Sequence, residues 1–382
     1  MKSGLKRYGA KRLKRLSELS IKHGIAMNPW SEFNPASLNP LENMLAAVKM
    51  EEPERTPVAT LEQEHAVKLV GAKYWEYATN PKIVAKAQMH AIRKYKLDFA
   101  WIHIDDWIEY EAMGNKIRYF DAAVPTCERY VVEEESDLGR LKVPDPSRDG
   151  RIPVLIEAIK TILKSSQGRI LVCGRVASAF SGMLLLRGLE RGLKDLYVNP
   201  NLCEELLKIS HEVAETMVMA QIEAGAHAIW VGDCLATSRL IPPRFHELYA
   251  LPYQSKIISF IKKLEGIPIL FTDEKKLERL VKESESQPDV MGIGTGIKLE
   301  EAKKAIGGKI CLFGNIDPVH VLLQGSKEGV EEAVRSCIEA AAPGGGFILA
   351  TGECVCRDTP EANIHEMVRK AETYGRYQVE AR

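Results

Sequence analysis

The sequence predicts an α/β fold: a (β/α)8 or TIM barrel with a basic N-terminal helical extension and an inserted hairpin and helical cover after the second strand. Short apolar segments alternate with longer amphipathic segments through most of the chain, and eight such units can be counted. This alternation indicates a parallel sheet, and eight units predict a closed barrel. The alternative is an open doubly wound sheet, but no Gly-x-Gly-x-x-Gly motif follows the first apolar segment.

Each predicted strand is a short apolar run of the kind that forms a buried strand in a parallel sheet. The stretches between the strands, such as residues 201–225, carry apolar side chains at helical spacing. The strand candidates are TPVATL from Thr56, DFAWIHI from Asp98, RILVCG from Arg169, AHAIWVGD from Ala226, IPILFTD from Ile267, DVMGIG from Asp289, KICLFG from Lys309 and GFILATG from Gly346.

Residues 1–38 are predicted to be a basic extension, and residues 39–382 a single barrel domain. Basic side chains cluster between Lys2 and Arg15, and leucines in the same region fall at helical spacing. The extension is therefore either a solvated helix packed on the domain or a docking arm for an acidic protein or an anionic surface.

A polar segment interrupts the alternation of strands and helices between the second and third strands. Residues 115–154 contain a predicted hairpin, followed by a polar helix and turns. This insertion either folds over the mouth of the barrel as a cover that excludes water, or is an excursion at the edge without a catalytic role.

The overall composition excludes several classes of protein. Lys plus Arg and Asp plus Glu both number 52, so the net charge is zero, whereas a general nucleic-acid binder usually carries a basic excess. No apolar run is long enough to span a bilayer, and the basic amino terminus lacks the apolar core of a secretory signal. Eight cysteines without a disulfide-like framework fit a reducing compartment. We expect a cytoplasmic protein without nucleic-acid or membrane partners.

Polar and charged side chains follow most of the predicted strands. Because active sites of such barrels lie at the carboxyl ends of the strands, we expect these side chains to meet in one mouth. The candidate catalytic residues are Asp105, Asp106, Asp233 and Asp273. The candidate substrate-binding residues are His103, Arg175, Asn315 and Glu353. Two structural alternatives stay open, because Asp106 could cap the following helix and Asn315 could serve a tight turn.

The eighth predicted strand ends in Gly-Glu-Cys-Val-Cys, which brings a carboxylate and two thiols close together. Zinc accepts such ligands, and catalytic zinc sites keep one position open for substrate or water. The candidate metal ligands are Asp273, Glu353, Cys354 and Cys234. The alternative is that the cysteines are small buried residues and the acids bind substrate or water directly.

An ordered set of segments from Asn39 to Tyr377 resembles the uroporphyrinogen decarboxylase superfamily, and most closely its branch of corrinoid-dependent methyltransferases. The resemblance implies a (β/α)8 barrel, in agreement with the strand count. The segments that carry it are NPLENMLAAVKMEEPERTPV, LKVPDPSRDGRIPV, LLLRGLERGLKDLYVNP, QIEAGAHAIWVGDCLATSRLIPPRFHELYALPY, LFGNIDPVHVLLQG and GECVCRDTPEANI.

The chain departs from the pattern of the superfamily in two places. True porphyrinogen decarboxylases carry arginines near the first strand, but TPVATLEQEHAVKLVG has none, and arginines there would hold porphyrin carboxylates. Thiol-activating methyltransferases bind zinc through a His-x-Cys pair after the fifth strand and a Cys after the eighth. Here the pair corresponds to Phe271 and Asp273, and the last position to Glu353 with Cys354 beside it.

The resemblance therefore implies a methyltransferase that moves a methyl group from a small methylated substrate to a corrinoid. No Asp-x-His-x-x-Gly cobalamin signature is present, so the corrinoid is expected on a partner protein. A methoxylated compound is one candidate donor, and methylamines, methanol and thioethers are others. A homodimer is compatible with this interpretation. The alternatives are a decarboxylase of the founding class and a non-catalytic barrel that binds a tetrapyrrole or a partner.

Overall fold

Eight parallel strands organise the chain across residues 40–377, the part of the protein that the computed structural model describes. Each of the eight predicted segments overlaps one of these strands, so the predicted barrel strands are confirmed, and three of the strands extend beyond the predicted segments. In chain order the strands are β1 (Val58–Leu61), β2 (Phe99–Trp101), β3 (Lys116–Arg118), β4 (Thr126–Arg129), β5 (Leu171–Ala177), β6 (Ala228–Gly232), β7 (Ile267–Phe271), β8 (Val290–Gly292), β9 (Cys311–Ile316) and β10 (Phe347–Cys354). The antiparallel pair β3–β4 forms a separate sheet.

The parallel sheet has the order β1-β10-β9-β8-β7-β6-β5-β2, and its two end strands meet at Asp98. The Asp98 amide donates to the Val58 carbonyl at 2.9 Å, and the Asp98 carboxylate accepts from the Val58 amide at 2.7 Å. Arg55 donates to both oxygens of the same carboxylate at 2.7 Å each. These contacts bring β1 beside β2, so the sheet forms a nearly closed barrel, as predicted.

Alternate side chains of the strands fill the interior of the barrel with one apolar cluster. The helix Pro40–Val48 covers the amino-terminal end, because its Leu41 and Met44 pack into this cluster. The Leu41 amide also donates to the Arg169 carbonyl at 2.9 Å. The interior is therefore blocked at one end and opens at the carboxyl ends of the strands, where active sites of such barrels lie.

The remaining helices form the outer layer and pack their apolar faces on the strands. Helix Ile152–Ser165, for example, buries Leu155, Ile159 and Ile162 at intervals of three to four residues. The other α-helices are Glu64–Leu69, Tyr74–Thr79, Pro81–Tyr95, Ile108–Ala112, Ala179–Arg187, Leu189–Val198, Pro200–Glu223, Pro243–Phe245, Leu251–Lys263, Leu277–Ser284, Leu299–Ile306, Lys327–Ala341 and Glu361–Tyr374. Shorter 3-10 segments are Glu135–Arg140 and Cys234–Ala236, and π-helical segments are His246–Ala250 and Pro318–Leu323.

The predicted insertion after the second strand is the β3–β4 hairpin followed by the 3-10 helix Glu135–Arg140. A buried ion pair fixes its end to the barrel, because Arg151 donates to the Asp105 carboxylate at 2.6 and 3.1 Å. The Trp107 indole N–H also donates to the Pro125 carbonyl at 3.0 Å. The hairpin and helical element predicted from the sequence is therefore present and anchored beside β2.

The predicted basic extension, residues 1–38, lies outside the described residues, and the division of the chain after residue 38 stays a prediction. Within residues 40–377, no helix has the length and apolar character needed to cross a membrane.

Candidate active site

A cavity of about 240 Å³ opens at the carboxyl ends of β1, β2, β5, β6, β7 and β10. Its lining is mainly apolar and includes a small number of ionisable side chains. Six of the predicted site residues line it, so the structure brings together acids, thiols and a base from four strand ends. They are His103, Asp106, Arg175, Cys234, Glu353 and Cys354.

A larger groove of about 920 Å³ lies elsewhere, on the outer surface between the helices Ile152–Ser165 and Pro200–Glu223. Its ionisable side chains include Glu157 and Lys160, which lie on the solvent side of the first of these helices. Because the groove is remote from the strand ends, we take the smaller cavity as the candidate active site.

One wall of the cavity is an ion-pair network centred on Arg175. This guanidinium is buried, and its Nη1 donates to both oxygens of Glu109 at 2.7 Å. Its Nη2 donates to Asp106 at 3.2 Å, and the same Asp106 oxygen lies 3.2 Å from His103 Nε2. The side chain of Asp106 is 62% exposed, and the protein atoms around it would by themselves raise its pKa, but the hydrogen bond and charge of His103, together with Arg175, hold that pKa well below its ordinary value. Asp106 is therefore a carboxylate at neutral pH.

Another part of the lining carries Glu353 and Cys354 at the end of β10. The pairing of β10 with β1 shifts in register between Ala350 and Cys354, where extra residues bulge from β10. The bulge explains how two consecutive side chains, which would point in opposite directions on a regular strand, both line the cavity. Gly352 is required within it, because a Cβ there would lie 2.9 Å from the Thr295 methyl carbon.

Glu353 has an ionisation state that is sensitive to pH near neutrality. Burial and the adjacent Asp273 carboxylate raise the pKa of Glu353 to about 7, against the opposing influence of Lys275. Asp273 itself is held by a hydrogen bond from Lys275 and one of 3.3 Å from Arg239. Asp273 thus acts on the cavity from behind Glu353 rather than from within its lining.

Both thiols of the cavity are protonated at neutral pH. The enclosure of Cys234 raises its pKa well above the ordinary value, and the carboxylates of Glu353, Asp106 and Asp273 add to this effect. Burial and then Glu353 raise the pKa of Cys354 in the same way. The two thiols therefore lie in a region of negative potential, which disfavours the thiolate form needed for nucleophilic attack.

Aromatic rings form the floor of the cavity. Trp101 and Trp230 have ring centroids 5.5 Å apart, and Phe271 lies 5.0 Å from Trp230. All three rings line the cavity. Trp101 and Trp230 are not among the predicted site residues, although the sequence contains a signal for one of them. Trp101 precedes His103 by two residues on β2 and its extension, so strand alternation places both side chains on the inward face.

Asp233 lies directly below the cavity, fully buried. Its carboxylate accepts from the Ser181 amide at 3.0 Å, the Ser181 hydroxyl at 2.7 Å and the Gln254 amide at 2.8 Å. Burial raises the pKa of Asp233, and these hydrogen bonds partly oppose that rise. Ser181 lines the cavity and Asp233 does not. Asp233 therefore holds the Ser181 side chain in place and does not itself contact the cavity.

Asp105 and Asn315 do not reach the cavity. Asp105 is occupied by the ion pair with Arg151, and it also accepts from the Trp107 amide at 2.8 Å. The Asn315 side chain donates to the carbonyls of Gly294 at 3.2 Å and Ile297 at 2.9 Å, which is the turn-forming alternative considered above.

The four candidate metal ligands do not assemble into a metal site. In the described part of the chain, no group of three or more His, Cys, Asp or Glu side chains has an arrangement that could hold a metal ion. Asp273 is engaged by Lys275 and Arg239, and it is not part of the cavity lining to which Cys234, Glu353 and Cys354 contribute. These residues do not fit zinc as arranged, and we derive no chemical step through it.

Proteins similar to this chain include both decarboxylases and methyltransferases. It is 27% identical over 308 residues to a uroporphyrinogen decarboxylase of Methylobacillus flagellatus, covering 78% of this chain and 84% of the relative. It is 25% identical over 341 residues to the methylcobamide:CoM methyltransferase MtbA of Methanosarcina acetivorans, covering 88% of this chain and 98% of that protein.

A solved structure shares the fold across nearly the whole domain. A methyltransferase from Methanosarcina mazei superposes with a TM-score of 0.81 at 23% identity, covering 88% of this chain and 99% of that chain. The family model described as uroporphyrinogen decarboxylase (URO-D) matches residues 39–374. The chain therefore belongs to the uroporphyrinogen decarboxylase family, within which its relatives include both decarboxylases and methyltransferases.

Proposed function

We propose that this protein transfers a methyl group from a small methylated compound to the cobalt of a corrinoid carried by a partner protein. The observation that carries the proposal is the charge and size of the cavity. About 240 Å³ accommodates a small donor, and the exposed charge that faces it comes from Asp106 and Glu353. Arg175 is its one arginine among the described residues, and two carboxylates already neutralise it.

The decarboxylase alternative would need a positively charged site, whereas the charge that faces this cavity is negative. A porphyrinogen is a macrocycle with many carboxylates, so its binding site needs an excess of cations with free hydrogen-bond donors. Arg175 cannot supply this, because Glu109 and Asp106 occupy its Nη1 and Nη2. The acidic mouth would repel such a substrate, and its volume is too small for the macrocycle. The same observations count against a barrel that only binds a tetrapyrrole.

The cavity residues act by binding and orienting the donor. The aromatic floor of Trp101, Trp230 and Phe271 receives its apolar part, and Asp106 and Glu353 face it from two different strand ends. This arrangement holds one methyl carbon toward the open end of the barrel. Direct displacement needs that carbon in line with its acceptor and within contact distance, so orientation is the main contribution that the chain makes.

The corrinoid is a co-substrate in this proposal and not a group held by this chain. A corrin ring does not fit within about 240 Å³, so it would have to approach the mouth from outside, on its own protein. When bound there, reduced cobalt supplies the nucleophile. A cytoplasmic location and a homodimer remain further parts of the proposal.

We assign the demethylation of the donor, and not the methylation of a thiol, to this chain. Thiol activation needs a metal or a thiolate, and Phe271 and Asp273 stand where thiol-activating relatives carry a zinc-binding pair. Phe271 packs on Trp230 at 5.0 Å and cannot bind a metal.

The test is a spectral titration of the purified protein with cob(I)alamin and a panel of methylated compounds. We expect loss of the cob(I)alamin spectrum with at least one donor, and a rate at least tenfold lower for Asp106→Asn. Release of carbon dioxide from uroporphyrinogen would instead support the decarboxylase, and neither reaction would support a binding protein.

A further inference from the structure

The aromatic floor of the cavity has the composition of a site for an organic cation. Trp101, Trp230 and Phe271 are contiguous, with ring centroids 5.5 and 5.0 Å apart, and all three contribute to one lining. Methylated ammonium groups spread a positive charge over apolar methyls. They therefore bind aromatic rings through both hydrophobic contact and attraction to the ring quadrupole.

The charges around this floor have the matching sign. Asp106 is a carboxylate whose side chain is 62% exposed, and it shares the lining with Glu353. The positive charge of Arg175 is offset by Glu109 in addition to Asp106, both within hydrogen-bond distance. Within residues 40–377, no lysine contributes to the cavity lining. Arg175 and Glu109 balance each other, so Asp106 and the ionised form of Glu353 leave an excess of negative charge beside the His103 imidazole, which lies 3.2 Å from Asp106.

A neutral ligand and a cationic ligand would affect these carboxylates differently. A neutral ligand that filled the cavity would strip water from Asp106 without replacing the lost hydrogen bonds, which is costly for a charged group. A cation would compensate the charge as it displaced the water. This difference favours the cation even though a neutral aromatic donor could also stack on the tryptophans.

We propose that the methyl donor of this site is a methylated ammonium compound, tertiary and protonated or quaternary, seated on Trp101 and Trp230 and paired with Asp106. The reaction of this donor rests on the proposed methyl transfer, but the binding of the cation does not. In the reaction the carbon–nitrogen bond breaks and its electron pair stays on nitrogen. The nitrogen thereby loses its positive charge, and the leaving group is a neutral amine. The methyl carbon accepts an electron pair from the reduced corrinoid of the partner protein, and no other oxidant or reductant is needed.

Binding without any corrinoid protein tests this directly. We would titrate the full chain with choline and with its neutral isostere dimethylbutanol, in which carbon replaces the charged nitrogen, and follow tryptophan fluorescence and calorimetric heat. We expect choline to bind at least tenfold more tightly than the isostere, because the two differ only in charge. Equal or tighter binding of the isostere would overturn the proposal.

Two variants and a control locate the effect. Asp106→Asn is expected to weaken choline binding about tenfold and to leave binding of the isostere unchanged or tighter, because the carboxylate no longer has to lose water. Trp230→Leu is expected to weaken choline binding by a similar factor. Asp121→Asn is the control, because it removes a carboxylate outside the cavity whose side chain is 64% exposed, against 62% for Asp106. This variant should change the affinity for neither choline nor the isostere. If Trp230→Leu does not fold, the Asp106 comparison alone decides. An unchanged choline affinity in Asp106→Asn would overturn the pairing.

The outcome is separable from that of the methyltransferase proposal. If neutral methoxylated donors methylate cob(I)alamin while choline does not bind, the cation proposal fails and methyl transfer stands. If choline binds as expected but no donor yields methylcobalamin, methyl transfer fails and the cation site stands.

Discussion

Replacement of Arg175 should destabilise the protein strongly. Replacement of its partner Glu109 as well should restore most of the stability but not the binding of the donor. The Arg175 and Glu109 side chains are 3% and 2% exposed, and Nη1 reaches both Glu109 oxygens at 2.7 Å. Arg175→Met leaves the Glu109 carboxylate buried without a partner, which should cost about 4 kcal/mol of unfolding free energy. In the double variant Arg175→Met/Glu109→Met, apolar groups of similar volume replace the pair, and most of the loss should be recovered.

Chemical denaturation at neutral pH measures the stability part of this prediction. Donor binding measures the other part, because Arg175 also holds Asp106 at 3.2 Å. Both variants lose that contact, so the pKa of Asp106 should rise and donor affinity should fall in the single and the double variant alike. The reasoning would be refuted by a double variant as unstable as the single one, or by an Arg175→Met variant that loses less than about 1 kcal/mol.

Three further predictions follow from the ionisable groups. Donor affinity should fall as the pH drops through about 7, because protonation removes the Glu353 charge, and Glu353→Gln should flatten the affinity profile measured by calorimetry. Burial raises the pKa of Glu62 from 4.5 to about 8, so the folded state retains a proton that the unfolded chain releases, and stability should fall as the pH rises from about 5 to 8. Glu62→Met should reduce that slope and add about 3 kcal/mol at pH 7, measured by denaturation across pH. Asp105→Asn should destabilise by about 2 kcal/mol, because Arg151 loses the charge of one of its two carboxylate partners and keeps Glu111, yet leave donor affinity unchanged in the folded protein.

The barrel could be predicted from the sequence because strands of a parallel sheet are buried on both faces and appear as short apolar runs. The location of the mouth followed from that prediction, since carboxyl ends of parallel strands meet at one edge. His103, Asp106 and Glu353 were found in this way. Strand alternation could also have identified Trp101 as an inward-facing residue two positions before His103.

The different roles of Asp105 and Asp106 could not be predicted from the sequence. Consecutive acids look alike in the sequence, but Asp105 turns toward Arg151, which is 46 residues away, and Asp106 turns into the cavity. The partner of Arg175 was missed for the same reason, because Glu109 lies 66 residues away on another element. Ion-pair choice depends on which elements pack together, and local patterns carry no information on it. The bulge in β10 likewise depends on pairing with β1.

The most direct measurement follows a labelled methyl group. The purified protein, a reduced corrinoid protein and a donor with an isotopically labelled methyl group are mixed, and the corrinoid is analysed by mass spectrometry. The methyltransferase proposal predicts labelled methylcobalamin at a rate that depends on Asp106, with no carbon dioxide released. Unlabelled cobalamin with every donor class, together with carbon dioxide release from a porphyrinogen, would contradict it.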